Sequence, residues 1–175
     1  AKNHGNPQVV FMVDHEVAEP KHFDKDSYDA AQQYQLSQLY INDSKKILPT
    51  SDTKINIYAG ANENADLSNF AKRPVTVDSP YNYGFATFET VEGAFQAAKL
   101  KYADINGETY MDFEDRLSKA SGAEARRIGK TIPKLNTEKW DKASSSIMKE
   151  ILKKSFEQNP QAAQRLLATG NATLT

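Results

Sequence analysis

Glu92, Gln96 and Lys99 recur at i, i+4 and i+7 in the stretch TVEGAFQAAK, the spacing that lines three side chains up along one side of a helix. An acid, an amide and an amine in a row can do chemistry together. The carboxylate can stabilise a developing positive charge, the amide can hold a hydroxyl or the carboxylate itself, and the amine adds a cation. Thr90 reads as the N-cap, which places Glu92 in the first turn, where the helix dipole favours the ionised form. On spacing alone the simpler account is favoured: a surface helix whose Glu92 complements the dipole and whose Lys99 is solvated.

The elements around this row are legible as well. Val91, Ala94, Phe95, Ala98 and Tyr102 follow i, i+3, i+4, i+7, i+11 and predict a buried stripe on the same helix. Upstream, Asp66 to Phe70 is a polar turn, in which Asn69 is the kind of residue that bonds its own backbone. Pro74 to Asp78 alternates as a short strand, and Pro80 to Gly84 reads as a hairpin connection. Tyr83 in that connection reads equally as a stacking residue and as a rim aromatic. Lys54 to Tyr58 predicts a further strand, with Ile55 and Ile57 on one face.

Downstream, Tyr110 to Ser118 and Ala123 to Lys130 read as short helices, Thr137 begins the longest helix, and Pro160 opens a last one that ends at Gly170. The fold expected is α+β: a small β-sheet surrounded by several helices, with the C-terminal third mostly helical. Val91, Phe95, Trp140, Ile147, Ile151 and Leu167 are expected inside one core.

Composition narrows the classes. The 175 residues are enough for one domain with an added arm, and the net charge of −1 gives no general attraction to nucleic acid. Charge is unevenly placed, however: residues 51 to 115 are acid-rich, whereas 116 to 154 are basic and include Arg126, Arg127, Lys130 and Lys134. A basic block of this kind can face a phosphate or simply solvate helix faces. The chain has no cysteine, which excludes disulfides and thiolate chemistry and fits a reducing, cytoplasmic setting. No apolar run approaches the ~20 residues of a membrane span, so no membrane partner is expected. His4, His15 and His22 all lie early and lack a paired ligand spacing, so neither a metal nor a cofactor is expected.

Residues 1–50 read as an N-terminal extension, with a strand at Val9 to Val13 and a helix from Tyr28 to Tyr40. They are too few to bury a core of their own and are expected to dock on the domain of residues 51–175.

Five separate stretches resemble the NADAR family. Ser68-Asn69-Phe70, a strand, and then Glu92 followed by Phe95-Gln96-Ala97 and Lys99 are similar to its S-N-F, hairpin and S-E-H-Y-F-Q-A-Q-K pattern. Glu124-Ala125-Arg126-Arg127-Ile128-Gly129-Lys130 resembles its E-A-K-R-L-G-R. Trp140-Asp141, Ile147-Met148, Phe156, Asn159-Pro160 and Leu166 to Gly170 resemble the rest, in order, so that the likeness covers roughly residues 54 to 175. Gly93 and Ala94 stand where the family has His and Tyr. The family pattern continues past this point to a D…W-G motif, which the domain is expected to lack.

The resemblance implies hydrolysis of an N-glycosidic bond, either in a phosphoribosylamino pyrimidine of the riboflavin pathway or in ADP-ribose attached to a base, which extends to ADP-ribosylated nucleic acid. It implies Glu92 as the catalytic carboxylate, with Ser68, Asn69, Phe70, Tyr83, Gln96 and Lys99 around the substrate and Arg127 and Lys130 on phosphate. The alternative is a catalytically inactive relative that binds a nucleotide or ADP-ribose, or serves structurally.

Overall fold

The computed structural model describes residues 48–58 and 64–175. The strand expected at Val9 to Val13, the helix expected from Tyr28 and the three histidines lie outside the described residues. The described part divides into two compact units, Ser68–Ser155 and a second made of the residues up to Leu67 with Phe156–Thr175.

In the second unit a two-residue strand, β1 (Lys54–Ile55), runs parallel to β4 (Thr173–Leu174). The pairing continues as Ile57 N–H donates to the Thr175 carbonyl at 2.8 Å, so the strand expected from Lys54 to Tyr58 is regular only over Lys54–Ile55 and pairs as far as Ile57, and Tyr58 N–H bonds the Asn56 side chain instead. A 3-10 turn, Ala65–Leu67, lies against helix α5 (Pro160–Ala168), and Arg165 Nε reaches Asp66 Oδ2 at 2.6 Å. Pro160 occupies the first turn of α5, where its missing N–H costs nothing. Gly170 follows with φ of +55°, and its N–H bonds back to Leu167, ending the helix.

The first unit holds the candidate site. Strands β2 (Val75–Asp78) and β3 (Phe85–Phe88) form an antiparallel hairpin in the register Val75↔Phe88 to Asp78↔Phe85. Alternation explains its two faces: Val75, Ala86 and Phe88 are buried, whereas the Thr76 and Thr87 hydroxyls pair at 2.7 Å on the exposed side. Asn82, Tyr83 and Gly84 all take positive φ at the tip, with Ser79 N–H bonded to the Gly84 carbonyl.

The chain then enters α1 (Val91–Ala98), continued by a 3-10 turn at Lys99–Tyr102. Thr90 is the N-cap, its hydroxyl accepting from Gly93 N–H at 2.9 Å. Helices α2 (Gly107–Lys119) and α3 (Gly122–Gly129) follow, capped by Asn106 and Ser121, and α4 (Thr137–Gln158) begins after Asn136, whose side chain accepts from Lys139 N–H. The core gathers Val75, Phe88, Val91, Leu100, Leu117 and Ile151. Thr90 is itself buried, so Thr90→Ala removes an acceptor that water cannot easily replace. It should lower stability by about 1 kcal/mol in urea denaturation, with the m-value unchanged.

Helix α1 is turned relative to the expected stripe. Gly93, Ala94 and Ala97 are buried together with Glu92 and Gln96, whereas Phe95 and Ala98 are only partly buried. The cause is size. A Cβ on Gly93 would lie 2.9 Å from the Leu117 carbonyl oxygen, so the small-residue side of α1 is where α2 comes closest. The large Phe95 ring is left at the margin, 5.1 Å from the Trp140 ring. Phe95 and Ile147 thus pack against the edge of the core, not inside it, and Leu167 is buried in the other unit; Val91, Trp140 and Ile151 are buried as expected.

Candidate active site

Glu92 is 4% exposed, so its carboxylate does not sit on a solvated helix face. A buried carboxylate needs partners, and α1 supplies the first. Gln96, one turn on, donates from Nε2 to Glu92 Oε2 at 2.7 Å. The reverse amide orientation would set acceptor against acceptor. Gln96 Oε1 therefore faces away, against Gly129, and accepts no hydrogen bond among the described residues. The position of Glu92 in the first turn adds the helix dipole, and its own backbone N–H is held by the Asn69 carbonyl at 3.0 Å.

The loop Ser68-Asn69-Phe70 forms a second wall. The Ser68 hydroxyl accepts from Phe70 N–H at 3.1 Å, a local turn that fixes the segment. Buried Arg73 ties the same loop down, donating from Nη1 to the Ser68 carbonyl at 3.2 Å and from Nε to the Ser155 hydroxyl at 2.7 Å. The Asn69 side chain reaches Met148 Sδ at 3.9 Å. Phe70 lies directly on the start of α3, where a Cβ on Gly122 would come within 2.5 Å of its ring.

Cations complete the group. Arg126 on α3 places Nε 3.6 Å from Glu92 Oε2 and its guanidinium 4.7 Å from the centre of the Phe70 ring. Lys99 Nζ stands 5.9 Å from the Trp140 ring centre. Burial holds the Lys99 pKa below the ordinary lysine value; the Glu92 charge works against that lowering and the Lys130 charge adds to it. Removing the anion should therefore lower it further. In Glu92→Gln the amine of Lys99, followed by carbon NMR after reductive methylation, should titrate at lower pH than in the parent chain; an upward or absent shift would contradict this placement.

The structure thus brings Asn69, Phe70, Glu92 and Gln96 together, with the charges of Lys99 and Lys130 acting at the same place. Ser68 serves through its turn. Tyr83 stands fully exposed at the hairpin tip, whose Asn82 leans on Glu114 of α2, and it does not join this group. Arg127 is exposed and forms no ion pair among the described residues. Arg126 takes the place beside Glu92. Spacing puts Gly122, Arg126 and Gly129 in one row at i, i+4, i+7, and the burial of both glycines in the structure is what places Arg126, and not Arg127, on the packed side of α3.

A separate cavity of about 310 Å³ lies on the opposite side of α1, lined by Ala94, Ala97, Phe88, Tyr110, Ile147 and Ile151 among others, and includes none of the Glu92 group. Among the described residues no cluster of three acidic or histidine side chains is arranged to hold a metal, and no helix is long and apolar enough to cross a membrane.

Comparison with known proteins identifies relatives. Residues 57–175 match the NADAR domain. The N-glycosidase YbiA of Shigella flexneri serotype 5b is 35% identical over 123 residues, 70% of this chain and 69% of the relative. The N-glycosidase YbiA of Escherichia coli K12 is 34% identical over the same shares. The NMR structure of the E. coli protein YbiA superposes with a TM-score of 0.55 at 29% identity, over 74% of this chain and 70% of that one.

Proposed function

The chain belongs to the NADAR family, and from that premise we propose that it is an N-glycosidase that hydrolyses the bond between ribose C1′ and a base or amine nitrogen in a phosphorylated ribosyl compound or an ADP-ribosyl adduct. One observation carries the reading: a carboxylate buried at a helix N-terminus, oriented by an amide on the same helix and bordered by cations.

The reaction needs that arrangement. As the C1′–N bond breaks, its electron pair leaves with nitrogen and positive charge builds on C1′ and the ring oxygen. Glu92 faces that charge with a fixed negative one, which costs no reorganisation during the reaction. It also takes the proton from the water whose oxygen adds to C1′, and that proton passes on to the departing nitrogen, which leaves Glu92 ionised again. Gln96 holds the carboxylate in place. Asn69 and Phe70 border the sugar and base, and Lys99 and Lys130 supply positive potential for phosphate.

The ion pair between Arg126 and Glu92 favours a second reading, in which the chain binds a nucleotide or ADP-ribose without cleaving it. Mass spectrometry of free base released from a ribosylamino-pyrimidine phosphate and from an ADP-ribosylated base separates the two. Release from either supports hydrolysis. No release from both, with ADP-ribose still bound, supports the binding reading.

A further inference from the structure

We propose that Arg126 is the phosphate-reading arm of the Glu92 site and, when no anion is bound, the partner that neutralises Glu92. The inference rests on the reading of Glu92 given above but concerns binding, not turnover.

The Arg126 side chain is 57% exposed, whereas that of Glu92 is 5% exposed. The guanidinium is thus the solvent-facing half of the pair. At 3.6 Å the contact is longer than a hydrogen bond, and the same Oε2 already takes Gln96 Nε2 at 2.7 Å. Nε is the nitrogen that pairs with the carboxylate. The two terminal nitrogens of Arg126 form no hydrogen bond among the described residues, so the fork that matches a phosphate is unused.

The arm also has a platform. Its guanidinium stacks on Phe70, and Phe70 is fixed by the Ser68 turn and by its seat on Gly122. Lys130, four residues on, is the C-cap of α3 and adds a second positive charge at that end of the helix.

A phosphate and Glu92 therefore compete for one guanidinium. A phosphorylated ligand draws Arg126 away, and the carboxylate is released from its cation only when such a ligand is present. An unphosphorylated riboside lacks the group that does this. Reciprocity follows: whatever weakens the hold of Glu92 on Arg126 must strengthen the hold of Arg126 on phosphate.

Calorimetric titration of ADP-ribose and of adenosine into the full chain tests this, with Arg126→Ala, Arg126→Lys, Glu92→Gln and the Arg126→Ala/Glu92→Gln double variant. Because Arg126 is exposed, these variants should fold, which circular dichroism checks. Arg126→Ala should weaken ADP-ribose about tenfold or more, a loss on the scale of one charge-assisted hydrogen bond, and leave adenosine no weaker than in the parent. Arg126→Lys should recover part of the loss. Glu92→Gln should tighten ADP-ribose severalfold in the parent and not in the Arg126→Ala background. Equal weakening of both ligands, an unchanged ADP-ribose affinity in Glu92→Gln, or no binding of ADP-ribose by the parent chain would each overturn the proposal. Because no step of the test requires turnover, these binding results with no base release would sink the hydrolase reading and leave the arm standing.

Discussion

Glu92→Gln should reduce base release by about 10²-fold or more while leaving the fold and its melting temperature intact. The substitution keeps the length and shape of the side chain and removes only the charge. In the parent, Glu92 is 4% exposed, and under the proposed reaction its negative charge would meet the positive charge of the transition state. The amide cannot supply that charge or accept the proton of the attacking water. Stability should not follow activity. Replacing a buried ion by a neutral group of the same shape is often neutral or favourable, because the desolvation cost of the ion disappears. Gln96 Nε2 can still donate to the carbonyl oxygen of a glutamine at position 92. A variant that melts no lower than the parent and yet turns over at a hundredth of its rate or less would mark Glu92 as a group kept for chemistry. Equal rates would end the assignment. A collapse of stability would instead make Glu92 a structural acid of the core.

Much of this arrangement was legible because local rules decided it. Thr90 before an apolar-periodic run, Pro160 in a first turn and Gly170 after the last helix each name a helix boundary by backbone chemistry alone. The hairpin followed from alternation. The row of Glu92, Gln96 and Lys99 followed from helical spacing, and its first pair is a hydrogen bond in the structure.

What spacing could not decide was which side of α1 is buried. Counting apolar residues places Val91 and Ala94 inside correctly but adds Phe95 and Ala98, whereas close approach selects small side chains over greasy ones, and Gly93 and Ala97 are the ones packed. The same tertiary question separates Arg126 from Arg127. Adjacent residues on a helix point about 100° apart, and only the packing of Gly122 and Gly129 tells which arginine faces Glu92. Tyr83 illustrates the converse, since an aromatic in a hairpin connection has no helical phase to read and stands in solvent.

Gly129→Ala should lower base release by about tenfold or more while changing stability little. Gly129 ends α3 without a left-handed backbone, so conformation alone does not require glycine there. On propensity, alanine should help by up to about 1 kcal/mol. The obstacle is a side chain: a Cβ on Gly129 would stand 1.9 Å from the present position of Gln96 Oε1 and 2.6 Å from its Cδ. The end of a glutamine can swing aside at modest cost, but here it cannot do so without dragging Nε2 off Glu92 Oε2. The Glu92 carboxylate then loses a charge-assisted hydrogen bond of about 1.5–3 kcal/mol, which corresponds to at least a tenfold change when the orientation of Glu92 is what the bond maintains. A double-mutant cycle isolates the effect. In a Gln96→Ala background there is no amide to displace, so adding Gly129→Ala should cost no further activity and should leave stability equal or higher. If Gly129→Ala alone keeps the parent rate, Gln96 does not position Glu92; if its cost is the same with and without Gln96, the methyl acts through α3 packing instead.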